Sequence, residues 1–313
     1  MADRNIPIPE LAGTDIDTQN LKLTSRSTYL KERFLRYLFA AAAFVAVLGV
    51  LLIFFFVGLR GWPIFQKVGV WQFLTGTVWA PTATPPQYGI LPMLFGSFAV
   101  MFGALVLGAP LAIGTAVFLS EIAPPWMRSI VRPAVELLAG VPSVIFGFFG
   151  LLMLRPILAE MSGTLGLGLL AGWLILAVMV VPTIATLTED ALGSVPDGIR
   201  EASYAMGATK WQTIYKVLIP SARIGIIDAI ILGMGRAIGE TMAVLMVIGN
   251  APVIPRSLFA PFSTITTQIV IDMSYATGDH RTALFGMAIV LFGISMLFVG
   301  AVRLVSRLSG GED

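Results

Sequence analysis

Residues 37–59 read YLFAAAAFVAVLGVLLIFFFVGL, twenty-three consecutive positions without a charge between Arg36 and Arg60. A helix needs about 20 apolar residues to cross the hydrocarbon of a bilayer. This stretch is long enough to do so, and further charge-free runs follow at 68–120, 137–154, 161–188 and 282–302. Across all 313 residues, 57% are hydrophobic and only 12% are charged, against about 25% charged in an average soluble domain. The mean hydropathy of +0.87 agrees. Too few charges remain to cover a water-soluble globule, so an integral membrane protein follows. The runs lack the alternation of barrel strands, which leaves helices as the spanning elements.

Spans are expected near 37–59, 90–119, 134–154, 165–187, 224–249 and 283–302. The fold class is therefore all-α, with six transmembrane helices. Residues 68–89 are too rich in Pro, Thr and Trp for hydrocarbon and read as an interfacial loop. The fifth span is counted despite Asp228, Arg236 and Glu240, with Asp228 placed near the interface. In this topology fourteen Lys and Arg fall on one side and five on the other, with Arg236 inside the membrane. That bias puts both termini in the cytoplasm of a multi-pass plasma-membrane protein. Residues 1–28 read as a cytoplasmic tail, 29–308 as the permease domain and 309–313 as a C-terminal tail. The polar start and the long first apolar run do not fit a signal peptide, and residues 27–36 read as a short interfacial helix.

Several chemistries drop out. The chain has no cysteine and one histidine, His280, so thiolate sites and histidine-based metal sites are not expected, and His280 reads as a solvated loop residue. No lysine follows a glycine, so there is no phosphate-binding P-loop, and ATP and Mg, if used, belong to partner subunits. No basic stripe with interleaved aromatics suggests nucleic acid. No acid, base and nucleophile set marks an enzyme.

The longest polar stretch between spans is 189–223, which reads SVPDGIREASYAMGATKWQTIYKVLIPSAR from Ser194 to Arg223. Ser194 with Asp197 and Thr209 with Gln212 have the spacing of capping boxes. Gly207 suits the left-handed position that ends a helix, and Pro220 marks the end of a second one. Two short helices with a bend at Gly207 are expected, exposing Trp211, Ile214 and Leu218. Such a hairpin is either a bare surface feature or a docking surface for another protein.

In the fifth span, Arg236 and Glu240 are four apart and would share a helix face. A charge at mid-membrane costs about 2.5–3.5 kcal/mol on insertion scales. The pair is either a structural ion pair or part of an anion path, since guanidinium matches the oxygens of a tetrahedral oxyanion. Arg132 and Glu136 repeat the spacing at the start of the third span, as an ion pair anchoring a helix end or part of a gate. Pro142 and Pro182 read as ordinary kinks.

Glu201-Ala202-Ser203, Gly207 and Ile219-Pro220 resemble the EAA loop of bacterial ABC importer permeases, with Ser203 replacing alanine and Ile219 replacing leucine. Arg236 to Val244, RAIGETMAV, is similar to the signature of phosphate-importer permeases. Tyr88–Pro92, Phe118–Pro124 and Glu136–Ser143 agree, in family order. Met242-Ala243-Val244 resembles the PstC type rather than the PstA type. The resemblance implies a MetI-like permease fold with a cytoplasmic coupling loop. It implies a PstA-like second permease, two copies of an ATPase subunit, an extracytoplasmic phosphate-binding protein, and phosphate as cargo within membrane lipid. It assigns Glu201, Ala202, Gly207, Trp211 and Pro220 to ATPase coupling, and Arg236 and Glu240 to the substrate path. Physics alone leaves sulfate or molybdate, or a secondary anion transporter, open.

Overall fold

The computed structural model describes residues 26–309. Its described residues divide into two compact units, one up to Phe56 and one from Val57 onward. The described part of the first unit is helical throughout and belongs to α1 (Arg26–Val68). Nearly every side chain from Arg33 to Phe56 is exposed, as an apolar helix bathed in lipid would be.

In the second unit, the residues after α1 do not form a simple loop. They fold as α2 (Val70–Thr75) and a hairpin of β1 (Trp79–Ala80) and β2 (Gln87–Tyr88), with Trp79 opposite Tyr88. There follow α3 (Leu91–Val117), α4 (Pro125–Gly140), α5 (Ser143–Phe149), α6 (Arg155–Ser162) and α7 (Leu169–Gly193). The chain continues through α8 (Asp197–Ala205), α9 (Lys210–Thr213), α10 (Ile219–Ser221) and α11 (Arg223–Gly239). It ends with α12 (Met242–Val247), α13 (Ile265–Met273) and α14 (Gly278–Ser309). π-helical turns fill 118–122, 150–154 and 214–218.

Among the described residues, five helices are long and apolar enough to cross a membrane. A sixth span exists if Lys210–Ser221 and Arg223–Gly239, bent by 69°, are taken as one. Two expected spans are drawn differently. The third does not run through 134–154: α4 stops at Gly140, and the apolar helical stretch is Ser143–Ser162. Val141 is extended (ψ 127) because it precedes Pro142, whose ring disfavours a helical predecessor. The fifth is not one helix over 224–249, since α11 ends at Gly239 and α12 starts again at Met242.

α3 and α7 form the spine of the unit. Gly103 lies against the Trp173 indole, where an added Cβ would come within 1.9 Å of the ring, and Gly108 lies against Ala177 and Val180. Small residues let two helix backbones approach closely where no hydrophobic force between helices acts. The Trp173 Nε1 also donates to the Ala99 carbonyl at 2.9 Å. Around this spine, one cluster joins α3, α7 and α12 through Val100, Ile175 and Val247. A second joins α1, α2, the hairpin, α13 and α14 through Ile64, Phe73 and Leu284. A third at the other end gathers Ala116, Leu192, Ile214, Leu218 and Ile226.

Candidate functional site: helix break and polar hairpin

The break between α11 and α12 is made by Glu240. Its backbone is extended (ψ 132), and its carboxylate turns back to accept hydrogen bonds from the amides of Thr241 (3.1 Å) and Ala243 (3.2 Å). These are orphan donors at the start of α12, which a carboxylate satisfies well. The Glu240 carbonyl accepts from Thr266 Oγ1 of α13 at 3.0 Å. α13 is held to α3 by the Ile265 amide donating to Ser97 Oγ at 3.0 Å.

This geometry corrects the expected Arg236–Glu240 pairing. Among the described residues no ion pair joins the two side chains. Four-residue spacing brings side chains together only along a continuous helix, and Glu240 leaves the helix. Arg236 stays in the last turn of α11 and is exposed. Of the nearby glycines, Gly233 packs against Ile184, whereas Gly235 and Gly239 face open space.

The loop after α7 folds as the hairpin expected, with changed details. Gly207 has φ +80, and the Thr209–Gln212 capping box is formed in both directions. Ser194 does not cap α8. It follows the end of α7, where its Oγ donates to the Ala191 carbonyl at 2.7 Å, and Pro196 precedes α8 instead. Trp211 is 65% exposed, but Ile214 and Leu218 are 2% and 1% exposed and belong to the core, against expectation. Both lie at the ends of the π turn over 214–218. The exposed large apolar side chains of this stretch are instead Tyr204, Met206, Trp211 and Tyr215. Glu201 and Ala202 are exposed beside it, and Pro220 lies inside the final turn rather than ending it.

Arg200 was not singled out by spacing, yet it anchors this hairpin. Its Nη1 donates to the Val195 carbonyl (2.7 Å) and Asp197 Oδ1 (2.9 Å). Its Nη2 donates to the Leu192 carbonyl (2.9 Å) and Glu121 Oε1 (3.1 Å). Arg132 donates to Glu136 at 3.2 Å, as its spacing suggests, and also faces Glu189 (3.6 Å) and Asp190 (4.0 Å) on α7. Glu189 first, then Glu136 and Asp190, raise the Arg132 pKa.

At the other end of the spans, His280 is buried rather than solvated. Its Nε2 lies 3.1 Å from Asp272 Oδ2, and both side chains are over nine-tenths buried. Asp272 also accepts from Trp79 Nε1 (2.9 Å), Gln268 Nε2 (2.9 Å) and Tyr275 Oη (2.6 Å). Burial alone would raise the Asp272 pKa, but these donors hold it below the usual carboxylate value. The bond to Asp272 pushes the Tyr275 phenol up to about 12. Among the described residues no three His, Asp or Glu side chains converge as metal ligands would.

Three comparisons bear on this arrangement. Residues 108–309 match the family model described as binding-protein-dependent transport system inner membrane component. The chain is 44% identical over 277 residues to the probable ABC transporter permease protein YqgH of Bacillus subtilis, covering 87% of this chain and 89% of that protein. It is 36% identical over 264 residues to the phosphate transport system permease protein PstC of Pasteurella multocida, covering 78% and 82%. In fold it resembles a chain of a bacterial alginate ABC transporter crystallised with its alginate-bound periplasmic protein. That likeness has a TM-score of 0.62 at 14% identity and covers 90% of this chain and 98% of the other.

Proposed function

We propose, starting from the fact that the chain belongs to the family of binding-protein-dependent transport system inner membrane components, that it is the PstC-type permease subunit of an ATP-driven phosphate importer. The observation that carries this reading is the hairpin of α8 and α9. Tyr204, Met206, Trp211 and Tyr215 are displayed on it, while Arg200 ties its base to the ends of α3 and α7. An apolar exposed face on a rigid support suits a protein partner. The sequence carries no P-loop of its own, so an ATPase docked there supplies the hydrolysis. Phosphate as cargo rests on curated relatives whose names specify phosphate transport, such as the Pasteurella multocida protein.

The importer also contains a PstA-like permease, two ATPase copies and an extracytoplasmic phosphate-binding protein. It sits in the prokaryotic inner membrane with both termini in the cytoplasm. Arg236, exposed at the end of α11, contacts the anion, and Glu240 shapes the break beside it. Glu201, Ala202, Gly207, Trp211 and Pro220 form the coupling hairpin, and Arg132 with Glu136 braces α4 near a gate. ATPase closure moves the hairpin and switches the cavity between outward and inward access.

The test is to purify the tagged chain from native membranes and reconstitute what comes with it. Co-purification of an ATPase and a second permease, with ATP-dependent phosphate uptake in the presence of the binding protein, is expected. Uptake that persists when the chain is reconstituted alone, without ATP, overturns the reading.

A further inference from the structure

We infer that the Glu121–Arg200 ion pair is the pin through which the coupling hairpin drives α3, and that Glu121 is a positioning residue for transport. This rests on the importer reading above. Arg200 lies on α8 and holds the Leu192 carbonyl in the last turn of α7 and the Val195 carbonyl in the link that follows it. Its bond to Glu121, 79 residues away at the end of α3, is a second and separate attachment. Glu121 is 11% exposed and Arg200 19% exposed, so the pair is shielded from salt and water, unlike an ordinary surface pair. Ser120 Oγ donates to the same Glu121 oxygen at 2.9 Å, which fixes the carboxylate. Arg128 donates to the Leu119 carbonyl at 2.6 Å and bonds to the Ser120 carbonyl, so the π turn that carries Glu121 is itself clamped.

At the far end of the same helix, Ser97 accepts from the Ile265 amide of α13. α13 in turn holds the Glu240 carbonyl through Thr266. Ser97 and Val117 are 20 residues apart on α3, about 30 Å at 1.5 Å per residue, with Glu121 in the π turn just beyond. α3 packs closely on α7, with Gly103 and Gly108 at the contact. A displacement of α8 delivered at Glu121 is thus carried as a rigid-body movement to the helix break. The bonds of Arg200 to the Leu192 and Val195 carbonyls keep the hairpin attached when Glu121 is changed, so loss of the pin should disconnect rather than unfold it.

The experiment uses the complete reconstituted complex and reads two quantities, phosphate uptake and ATP hydrolysis stimulated by the binding protein. For Glu121→Ala, uptake per ATP hydrolysed is expected to fall about tenfold, within the usual range of coupling between linked sites, while hydrolysis and complex yield stay near wild type. Glu121→Gln keeps the shape and an acceptor oxygen and should recover part of the ratio. If Glu121→Ala fails to assemble, Glu121→Gln decides. An unchanged uptake-to-hydrolysis ratio in Glu121→Gln and, where it assembles, in Glu121→Ala overturns the inference. Wild-type complex that does not move phosphate under the same conditions would instead overturn the importer reading.

Discussion

Asp272 and His280 meet at 3.1 Å inside the protein, eight residues apart in sequence, with the Trp79 indole donating to the same carboxylate oxygen. One carboxylate thereby joins the β-hairpin, α13 and the start of α14. Because α13 also holds the Glu240 carbonyl, this knot fixes the support of the helix break.

Asp272→Asn is expected to destabilise the protein by about 2–3 kcal/mol, since it removes charge-assisted hydrogen bonds and turns an amide toward existing donors. Thermal unfolding of the detergent-purified protein would register it as a lowered midpoint. An unchanged midpoint means that the knot contributes nothing.

The pH dependence has two arms. The Asp272 pKa is lower folded than unfolded, so its stabilisation is present above its ordinary value of 3.8 and is lost as pH falls through the folded value. The Tyr275 pKa is raised from 10.0 to about 12, so its contribution is complete below 10.0 and is lost as pH rises toward about 12. Phenolate absorbance titration, with Tyr275→Phe as the subtraction, should show Tyr275 titrating late and moving back toward the ordinary value in Asp272→Asn.

These groups mark where sequence reading ran out. Hydropathy is a local count, so the apolar runs and the polar hairpin were legible from composition alone. The left-handed Gly207 and the Thr209–Gln212 box were legible because caps are short-range. His280 was not, because its neighbours Asp279 and Arg281 look solvated while its partners come from tertiary folding. Trp79 reaches Asp272 across 193 residues. The Arg236–Glu240 spacing misled because it assumes an unbroken helix. The signal that could have corrected it is Gly239 followed by Glu240 and Thr241, residues suited to ending one helix and starting another.

Gly103→Ala should disrupt the α3–α7 spine. The new methyl would meet the Trp173 ring at 1.9 Å, and the indole is held by its bond to Ala99. Overpacking of this kind costs about 1–3 kcal/mol. Reduced yield of folded protein and a lower unfolding midpoint are expected, with partial recovery in Gly103→Ala combined with Trp173→Phe. Wild-type yield and midpoint in the single variant would show that the helices separate easily.

Gly207→Pro should uncouple transport while the protein remains in the membrane. Proline fixes φ near −65°, whereas Gly207 sits at +80. Its amide donates to the Tyr204 carbonyl at 2.9 Å, a bond that proline removes. Tyr204 and Met206 would then be presented at a different angle from Trp211. Membrane fractionation should show normal insertion, and phosphate uptake should be lost; unchanged uptake sinks the coupling role.

Arg236→Gln tests the path itself. Arg236 makes no ion pair with Glu240 among the described residues, and its side chain is exposed. Its removal therefore leaves the cap at Glu240 intact, and folding should be little changed. A guanidinium that engages an oxyanion contributes paired, charge-assisted hydrogen bonds, which neither glutamine nor lysine reproduces. Uptake should be abolished in Arg236→Gln and only weakly restored in Arg236→Lys, with complex assembly and unfolding midpoint near wild type. Glu240→Ala differs in kind, because it removes the acceptor for the Thr241 and Ala243 amides; it should lower the midpoint as well as uptake. Normal transport by Arg236→Gln would assign the arginine to the protein surface and move the anion path elsewhere.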